Sequence, residues 1–372
     1  MPFSARTGFF SEASAPPAAG YPDWPTQANV SQFNTEVALY SGDVGALADG
    51  PGTGGTSNAY RGACRAPNGN LYFMPRQVSN FLEYNPTDDT NSTITISGLG
   101  GNNYTGGCLG SNGNIYLAPH AASTVFEFDP VNRTSRTISV SISGDNKYNG
   151  AVMDTTGNVI CIPQKESKFI HIDCSVEPVV VTTPTYGATF SISGIISGTT
   201  HPNGNIYMAP LQDSGFLEVD PTAGTSTRYD AGKGTSQLLC QGAVTGADGN
   251  IYGVPYNSST VLRLNPTTGT VDEPHTHGQG TNAFIGGTPA PNGNIYLAPF
   301  DADNILEIDP LANTTNTISL TSNDSYVGAT SDEANVYLCP NNATAVKILP
   351  TNATGGTNAN AYTLSSYVNS GH

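Results

Sequence analysis

Positive charge is what this chain has least of: Lys and Arg together number 13 against 29 Asp and Glu, for a formal net charge of −16. Such a surface repels phosphate backbones, so nucleic acid is not expected as a partner. No apolar run approaches the roughly 20 residues that a bilayer-spanning helix needs, and membrane insertion is not expected either. Cysteine is sparse, with six residues at 64, 108, 161, 174, 240 and 339 and no Cys-x-x-Cys pair. That spacing suits neither a zinc site nor a disulfide scaffold, and the six are expected to be free thiols packed as small hydrophobes. The opening MPFSARTGFFSEASAPPAAG has one Arg and no apolar core of the kind a secretory signal carries, so standard secretion is not expected. Helical periodicity is missing throughout, as are a Ser/His/Asp arrangement, His-Glu-x-x-His, a P-loop, and a Gly-x-Gly-x-x-Gly leading into a helix. Yet 18 Tyr, 13 Phe and regularly spaced Ile, Leu and Val are enough to bury a sizeable core, which argues against disorder.

What the chain does have is a repeat. PNGNLYFMPRQVSNFLEYNPTDDT at 67–90 returns as SNGNIYLAPHAASTVFEFDPVNRT, PNGNIYMAPLQDSGFLEVDPTAGT, PNGNIYLAPFDADNILEIDPLANT and three more divergent copies. The marker asparagines are Asn70, Asn114, Asn158, Asn205, Asn250, Asn294 and Asn335, spaced by 44, 44, 47, 45, 44 and 41 residues. Each copy reads as a short strand, an Asn-Gly or Asp-Gly turn of the type I′ hairpin kind, and a strand such as Asn-Ile-Tyr-Leu-Ala-Pro. An alternating strand such as Ile305-Leu-Glu-Ile-Asp follows, then a Pro/Thr/Gly turn and a Thr-rich strand. Four antiparallel strands in about 44 residues make one blade of a β-propeller, and seven copies make seven blades. The fold class is therefore all-β: a seven-bladed β-propeller over residues 35–372, preceded by an extended Pro- and Ala-rich arm at 1–34. Residues 35–41 and the C-terminal Ala361-Tyr-Thr-Leu-Ser compete to complete the last blade.

Small residues in the innermost strands, such as Gly62-Ala-Cys and Gly106-Gly-Cys, fit crowding near an axis. The Pro five residues after each marker ends the second strand, where its missing N–H costs no ladder bond. The Tyr two residues after the marker, replaced only by Ile160, is expected to pack between blades.

Candidate functional residues lie on the face that carries the blade-to-blade loops. The residue after the fixed Pro changes in every copy: Arg76, His120, Gln164, Leu211, Tyr256, Phe300 and Asn341. A constant frame with changing tips suits a binding surface, so Arg76, His120, Tyr256 and Phe300 are candidate ligand contacts; drift at exposed tips would look the same. Aromatics opening the innermost strands, Tyr104 and Tyr148 among them, either stack on sugar rings at the channel mouth or pack between blades. Arg61, Arg65 and Arg76 form an anchor for an acidic ligand or ordinary surface charge. His275 and His277 alternate along one strand and, with Asp272 or Glu273, read as a weak metal candidate or a solvated edge. No cofactor is expected.

The turn, the Gly-Asn-hydrophobic-aromatic start, the strand ending Ile-Asp-Pro and the Thr-Gly turn over residues 60–350 resemble the repeats of streptogramin-lyase and NHL propellers. That resemblance implies the propeller fold. Where the lyases carry Trp-Phe-Thr-Glu after the turn, every copy here has Tyr-Leu-Ala-Pro or a variant. An Asn/Thr/Gly-rich, Lys-poor composition with an N-terminal arm also resembles propeller subunits of bacteriophage virions. The expected function is a non-enzymatic binding or assembly protein of a virion. Its arm, with Tyr21 and Trp24, docks to other virion proteins while the loop face meets a host glycan or a neighbouring subunit. The alternative function is a metal-dependent lyase or hydrolase of the streptogramin-lyase type, and the alternative location to the virion is the bacterial cytoplasm or the cell surface by non-classical export.

Overall fold

The computed structural model describes residues 48–52, as backbone, and residues 57–351 apart from 189–193, 235–237, 321–324 and 333. The strands form seven separate four-stranded antiparallel sheets, and the described residues contain no helix. In the first blade the order from the axis outward is Tyr60–Arg65, Leu71–Pro75, Asn80–Asn85 and Thr90–Thr95. The other innermost strands are Tyr104–Leu109, Tyr148–Met153, Gly198–Thr200, Cys240–Thr245, Phe284–Pro289 and Tyr326–Ser331.

The ring is closed from the N-terminal side. The outer strand of the seventh blade is Ala48–Gly52, antiparallel to Ala345–Pro350 with Ala48 opposite Ile348. Both segments considered from sequence for this role, 35–41 and 361–365, lie outside the described residues, as do Tyr21, Trp24 and the whole 1–34 arm.

The first turn of the first six blades differs from the type I′ expectation. Gly69 N–H donates to the Ala66 carbonyl at 2.9 Å and Ala66 N–H to the Asn70 carbonyl at 2.9 Å, while Gly69 has φ of 85°. Asn68 is not among the residues with positive φ, whereas a type I′ turn needs both central residues there. This is a type I turn followed by a left-handed glycine, which explains why Pro67, Pro202 and Pro291 fit ahead of the Asn-Gly: proline presets φ at the first central position.

A second departure concerns the innermost strands. Pairing slips between Tyr60 and Ala63, and at the equivalent place in five other blades, so six of the seven inner strands carry a β-bulge, the fourth blade's Gly198–Thr200 pairing in register. Gly62, Gly106, Gly150, Gly242, Gly286 and Gly328 all sit there with positive φ. The glycine is thus required by a left-handed backbone at the bulge, not chiefly by crowding at the axis.

The blade-to-blade seams hold the core. Phe81 of the first blade stacks on Phe128 of the second, with centroids 4.7 Å apart, and Tyr84 packs on Tyr337 across the closing seam at 5.6 Å. The tyrosines two residues after the markers are buried in the same seams, as the sequence suggests, but their hydroxyls have a second job. Tyr116 OH donates to Glu127 Oε1 at 3.0 Å, Asn114 Nδ2 donates to the same oxygen at 2.6 Å, and Asn112 Nδ2 donates to Tyr116 OH at 2.8 Å. The same set recurs around Glu83, Glu218 and Glu307. In the remaining blades the carboxylate changes place. Arg263 stands opposite Tyr252 where the others have Glu, and Asp248 in the turn accepts from Tyr252 OH at 2.8 Å. Asp332 does the same for Tyr337 at 2.6 Å, with Ile348 opposite that tyrosine. In the third blade Ile160 has no hydroxyl; His171 stands opposite it, and Asp154 holds the turn through Thr156 and Asn158.

All six cysteines are buried and free, as expected. Burial pushes the Cys64 thiol up to about 12, so it stays protonated and unreactive.

Candidate binding site at the axial mouth

Seven short hydrogen-bonded links build the rim of the loop face. The residue after the fixed Pro donates its N–H to the loop just before the innermost strand of the same blade: Arg76 to Ala59 at 2.9 Å, His120 to Asn103 at 2.8 Å, Tyr256 to Leu239 at 2.8 Å, Phe300 to Ala283 at 2.8 Å. Its carbonyl accepts from the next blade: Arg76 from Asn102 at 3.0 Å, His120 from Lys147 at 3.2 Å, Tyr256 from Ala283 at 2.8 Å, and Asn341 from Ala59 at 3.0 Å across the closing seam. Backbone alone satisfies the architecture here, which leaves the side chain free to differ in every blade. These positions are not exposed tips. His120, Leu211 and Asn341 are buried, and Arg76, Gln164, Tyr256 and Phe300 are half-buried.

The residue that precedes each bulge glycine is the other contributor: Arg61, Thr105 and Asn149 in the first three blades, Gln241 in the fifth, and apolar Ile285 and Val327 in the sixth and seventh. Arg61 lies within electrostatic reach of Tyr256, which belongs to a blade three steps round the ring. Only a side chain turned to the central axis meets that residue, so the bulge aims this position into the mouth.

The charge there runs against the molecule's. Arg61 is only 9% exposed, its Nε has no hydrogen-bond partner, and among the described residues no carboxylate pairs with it. Burial, then the neighbouring Arg76 charge, pushes its guanidinium down to about 9, still charged at neutral pH. Burial also lowers Arg76, whose Nη1 donates to Asn58 Oδ1 at 3.0 Å while its Nε is unpartnered. His120 is pushed down to about 4 by burial and by the Arg76 and Arg61 charges, and is neutral at pH 7; its Nδ1 has no partner. Lys147, also within reach of His120, gives hydrogen bonds to the Ala121 and Gly144 carbonyls, with Asp145 and Glu166 nearby. Thr105 Oγ1, Asn149 Oδ1 and Gln164 Oε1 are likewise buried without partners. A buried polar atom left unpaired costs about 1–3 kcal/mol, and a paired state is the rule in folded proteins. Across the mouth from this polar arc, Tyr256 and Phe300 form a tilted ring pair with centroids 6.3 Å apart, and Asp301 lies near Tyr256.

The candidates named from sequence therefore divide. Arg76, His120, Tyr256 and Phe300 converge on one mouth, joined by Arg61, which the sequence also offered, and by Thr105, Asn149 and Gln241, which sequence inspection did not single out. The signal for these was present as the polar residue before a bulge glycine. Tyr104 and Tyr148 are buried in the seams, with the Tyr104 ring against Phe126 at 5.5 Å, and offer no face to a ligand. His275, near the end of the strand Thr270–Thr276, and His277, just past it, are both buried. His277 has both ring nitrogens occupied, Nε2 on the Ser258 carbonyl at 2.6 Å and Nδ1 accepting from Gln279 N–H at 3.2 Å, so it has no lone pair for a metal. Among the described residues no group of three His, Cys, Asp or Glu side chains converges as a metal site needs.

These features define the class: a seven-bladed β-propeller with a polar axial mouth. Among solved structures the chain is similar to a catalytically inactive histidine-to-alanine variant of virginiamycin B lyase from Staphylococcus aureus with quinupristin, at 12% identity and TM-score 0.70, covering 82% of this chain and 99% of that one. A streptogramin B lyase structure matches at 14% identity and TM-score 0.68, covering 82% and 97%. The extracellular domain of a putative one-component system from Bacteroides thetaiotaomicron matches at 15% identity and TM-score 0.58, covering 79% of this chain and 41% of that one. At such identities the likeness is one of fold. No family model matches the chain, and no curated protein matches it.

Proposed function

We propose that this protein is a non-enzymatic binding component of a larger assembly, a virion, and that it takes its ligand at the axial mouth. The carrying observation is Arg61: a charged, nine-tenths buried arginine whose Nε has no hydrogen-bond partner and that meets no carboxylate among the described residues, in a protein whose net charge is −16. Removing a charge from water without pairing it is expensive, so the position makes sense as half of an interaction whose other half is a ligand. The rigid backbone ring beneath variable side chains supports recognition in the same way, because a frame that does not move loses little freedom on binding.

Docking to neighbouring virion proteins falls to the N-terminal segment. All seven sheets draw their strands from residues 48–350, so the aromatic anchors Tyr21 and Trp24 are not needed to complete any blade. Deleting residues 1–34 is expected to abolish incorporation into the assembly while changing the melting temperature of the isolated protein by less than about 2 °C. Intact incorporation by the truncated chain overturns the docking role. Chemical change of a ligand bound at the mouth, followed by mass spectrometry, overturns the non-enzymatic reading in favour of a lyase or hydrolase.

A further inference from the structure

The unpaired atoms of the mouth specify more than the presence of a ligand. Two arginines offer donors and positive charge, and neither has a carboxylate partner among the described residues. Of the other unpaired atoms on the same arc, Asn149 Oδ1 and Gln164 Oε1 are acceptors, while His120 Nδ1 and the Thr105 hydroxyl can serve either way. A bare inorganic anion satisfies the arginines and leaves those acceptors empty. A neutral sugar satisfies the acceptors with its hydroxyls and leaves a buried positive charge unpaired. Opposite them the Tyr256–Phe300 pair presents apolar ring surface, which suits the C–H face of a pyranose.

We infer that the axial mouth binds an acidic saccharide, its carboxylate held between Arg61 and Arg76, its hydroxyls on the His120, Asn149 and Gln164 side of the mouth, and its ring against Tyr256 and Phe300. This rests on the binding reading above and names the chemical class of the ligand for that same site. Carboxylate–guanidinium pairing in a site screened from bulk water is strong and directional, and the hydroxyl contacts then choose among acids. The carboxylates of the protein nearest the site, Asp301 on the aromatic side and Asp145 and Glu166 beside Lys147, place negative charge at its edge and restrict the anion to the Arg61–Arg76 side.

Isothermal titration of the full chain with trigalacturonate, a glucuronate disaccharide, maltotriose and inorganic phosphate tests this. At least one uronate is expected to bind ten-fold or more tightly than maltotriose or phosphate, with affinity falling as NaCl rises. Arg61→Gln is expected to weaken uronate binding at least ten-fold. Tyr256→Leu is expected to weaken it several-fold and leave phosphate unaffected, and Arg263→Gln, on the outer part of the fifth blade, to change nothing. Should Arg61→Gln fail to fold, the Tyr256→Leu comparison and the salt dependence of the wild-type chain still decide. Failure of both uronates overturns the inference. Maltotriose binding as tightly as the uronates overturns the acidic class while the binding reading survives. Phosphate binding as tightly, with no effect of Tyr256→Leu, shows an anion site without saccharide recognition and overturns it too. Cleavage of a bound uronate supports the ligand class and overturns only the non-enzymatic reading.

Discussion

Glutamate and histidine show how single residues serve two different ends in this ring. Glu307 collects Asn294 Nδ2 at 2.7 Å and Tyr296 OH at 2.7 Å on one oxygen and Asn316 Nδ2 at 3.1 Å on the other, tying three strands of a blade together. Glu307→Leu leaves those donors unmet in a buried seam, and a loss of about 3 kcal/mol is expected in urea unfolding; Tyr296→Phe, which removes the bonds to Glu307 and from Asn292 and keeps the packing, is expected to cost about 1–2 kcal/mol. His120 acts on pH dependence. Its folded pKa lies below its unfolded value, so the unfolded chain takes up a proton first and stability falls as pH drops from about 6.5 toward 4. Unfolding free energies measured between pH 7 and pH 5 are expected to decline in the wild type and to decline less steeply in His120→Gln, the remaining slope coming from His201 and His275, which burial also lowers. Glu83 is separable from this. Burial opposes its charge, but hydrogen bonds from Tyr72, Asn70 and Ser92 and the Arg133 charge outweigh it and hold the carboxyl below its ordinary value, so its contribution is lost only at more acidic pH.

Among the elements, the turns and bulges decide where side chains go. Gly69 has φ of 85° and open space around its Cα, so substitution there is resisted by backbone conformation alone. Gly69→Ala is expected to cost about 1–2 kcal/mol and Gly69→Asn less, because a short polar side chain tolerates the left-handed region. Comparing the two by thermal unfolding separates conformational cost from packing; equal losses would mean that the turn is held in some other way. The bulge in the innermost strand has a functional counterpart. It turns Arg61 to the axis, so strand register and site geometry depend on the same glycine.

Closure is a property of the whole molecule. Ala48–Gly52 pairs with Ala345–Pro350, joining points about 300 residues apart, and the seventh blade's third strand loses its outer neighbour without it. Deleting residues 1–52 is therefore expected to lower the melting temperature by several degrees and to broaden the transition in calorimetry, unlike deletion of 1–34. Equal behaviour of the two truncations would show that the outer strand of the seventh blade contributes little to closure.

The number of blades, the order of strands, the seam tyrosines and the free cysteines could be read directly from the chain, because a 44-residue period with alternating polarity admits few ways to bury its apolar side chains. Half the mouth could be read too: Arg76, His120, Tyr256 and Phe300 stand at one repeat position, directly after the proline that every copy keeps. Type I turns in place of type I′ could not, since Asn-Gly serves both and the difference lies in the backbone angle of the asparagine. Nor could the closing strand, because Ala48–Gly52 carries no strand pattern of its own and earns its place by filling the one open edge left in the ring. The convergence of Arg61 with Tyr256 belongs wholly to tertiary structure. These residues are 195 positions apart in a chain whose local pattern reports only which way a side chain leaves its own strand, and it takes a closed ring to bring opposite blades to one axis.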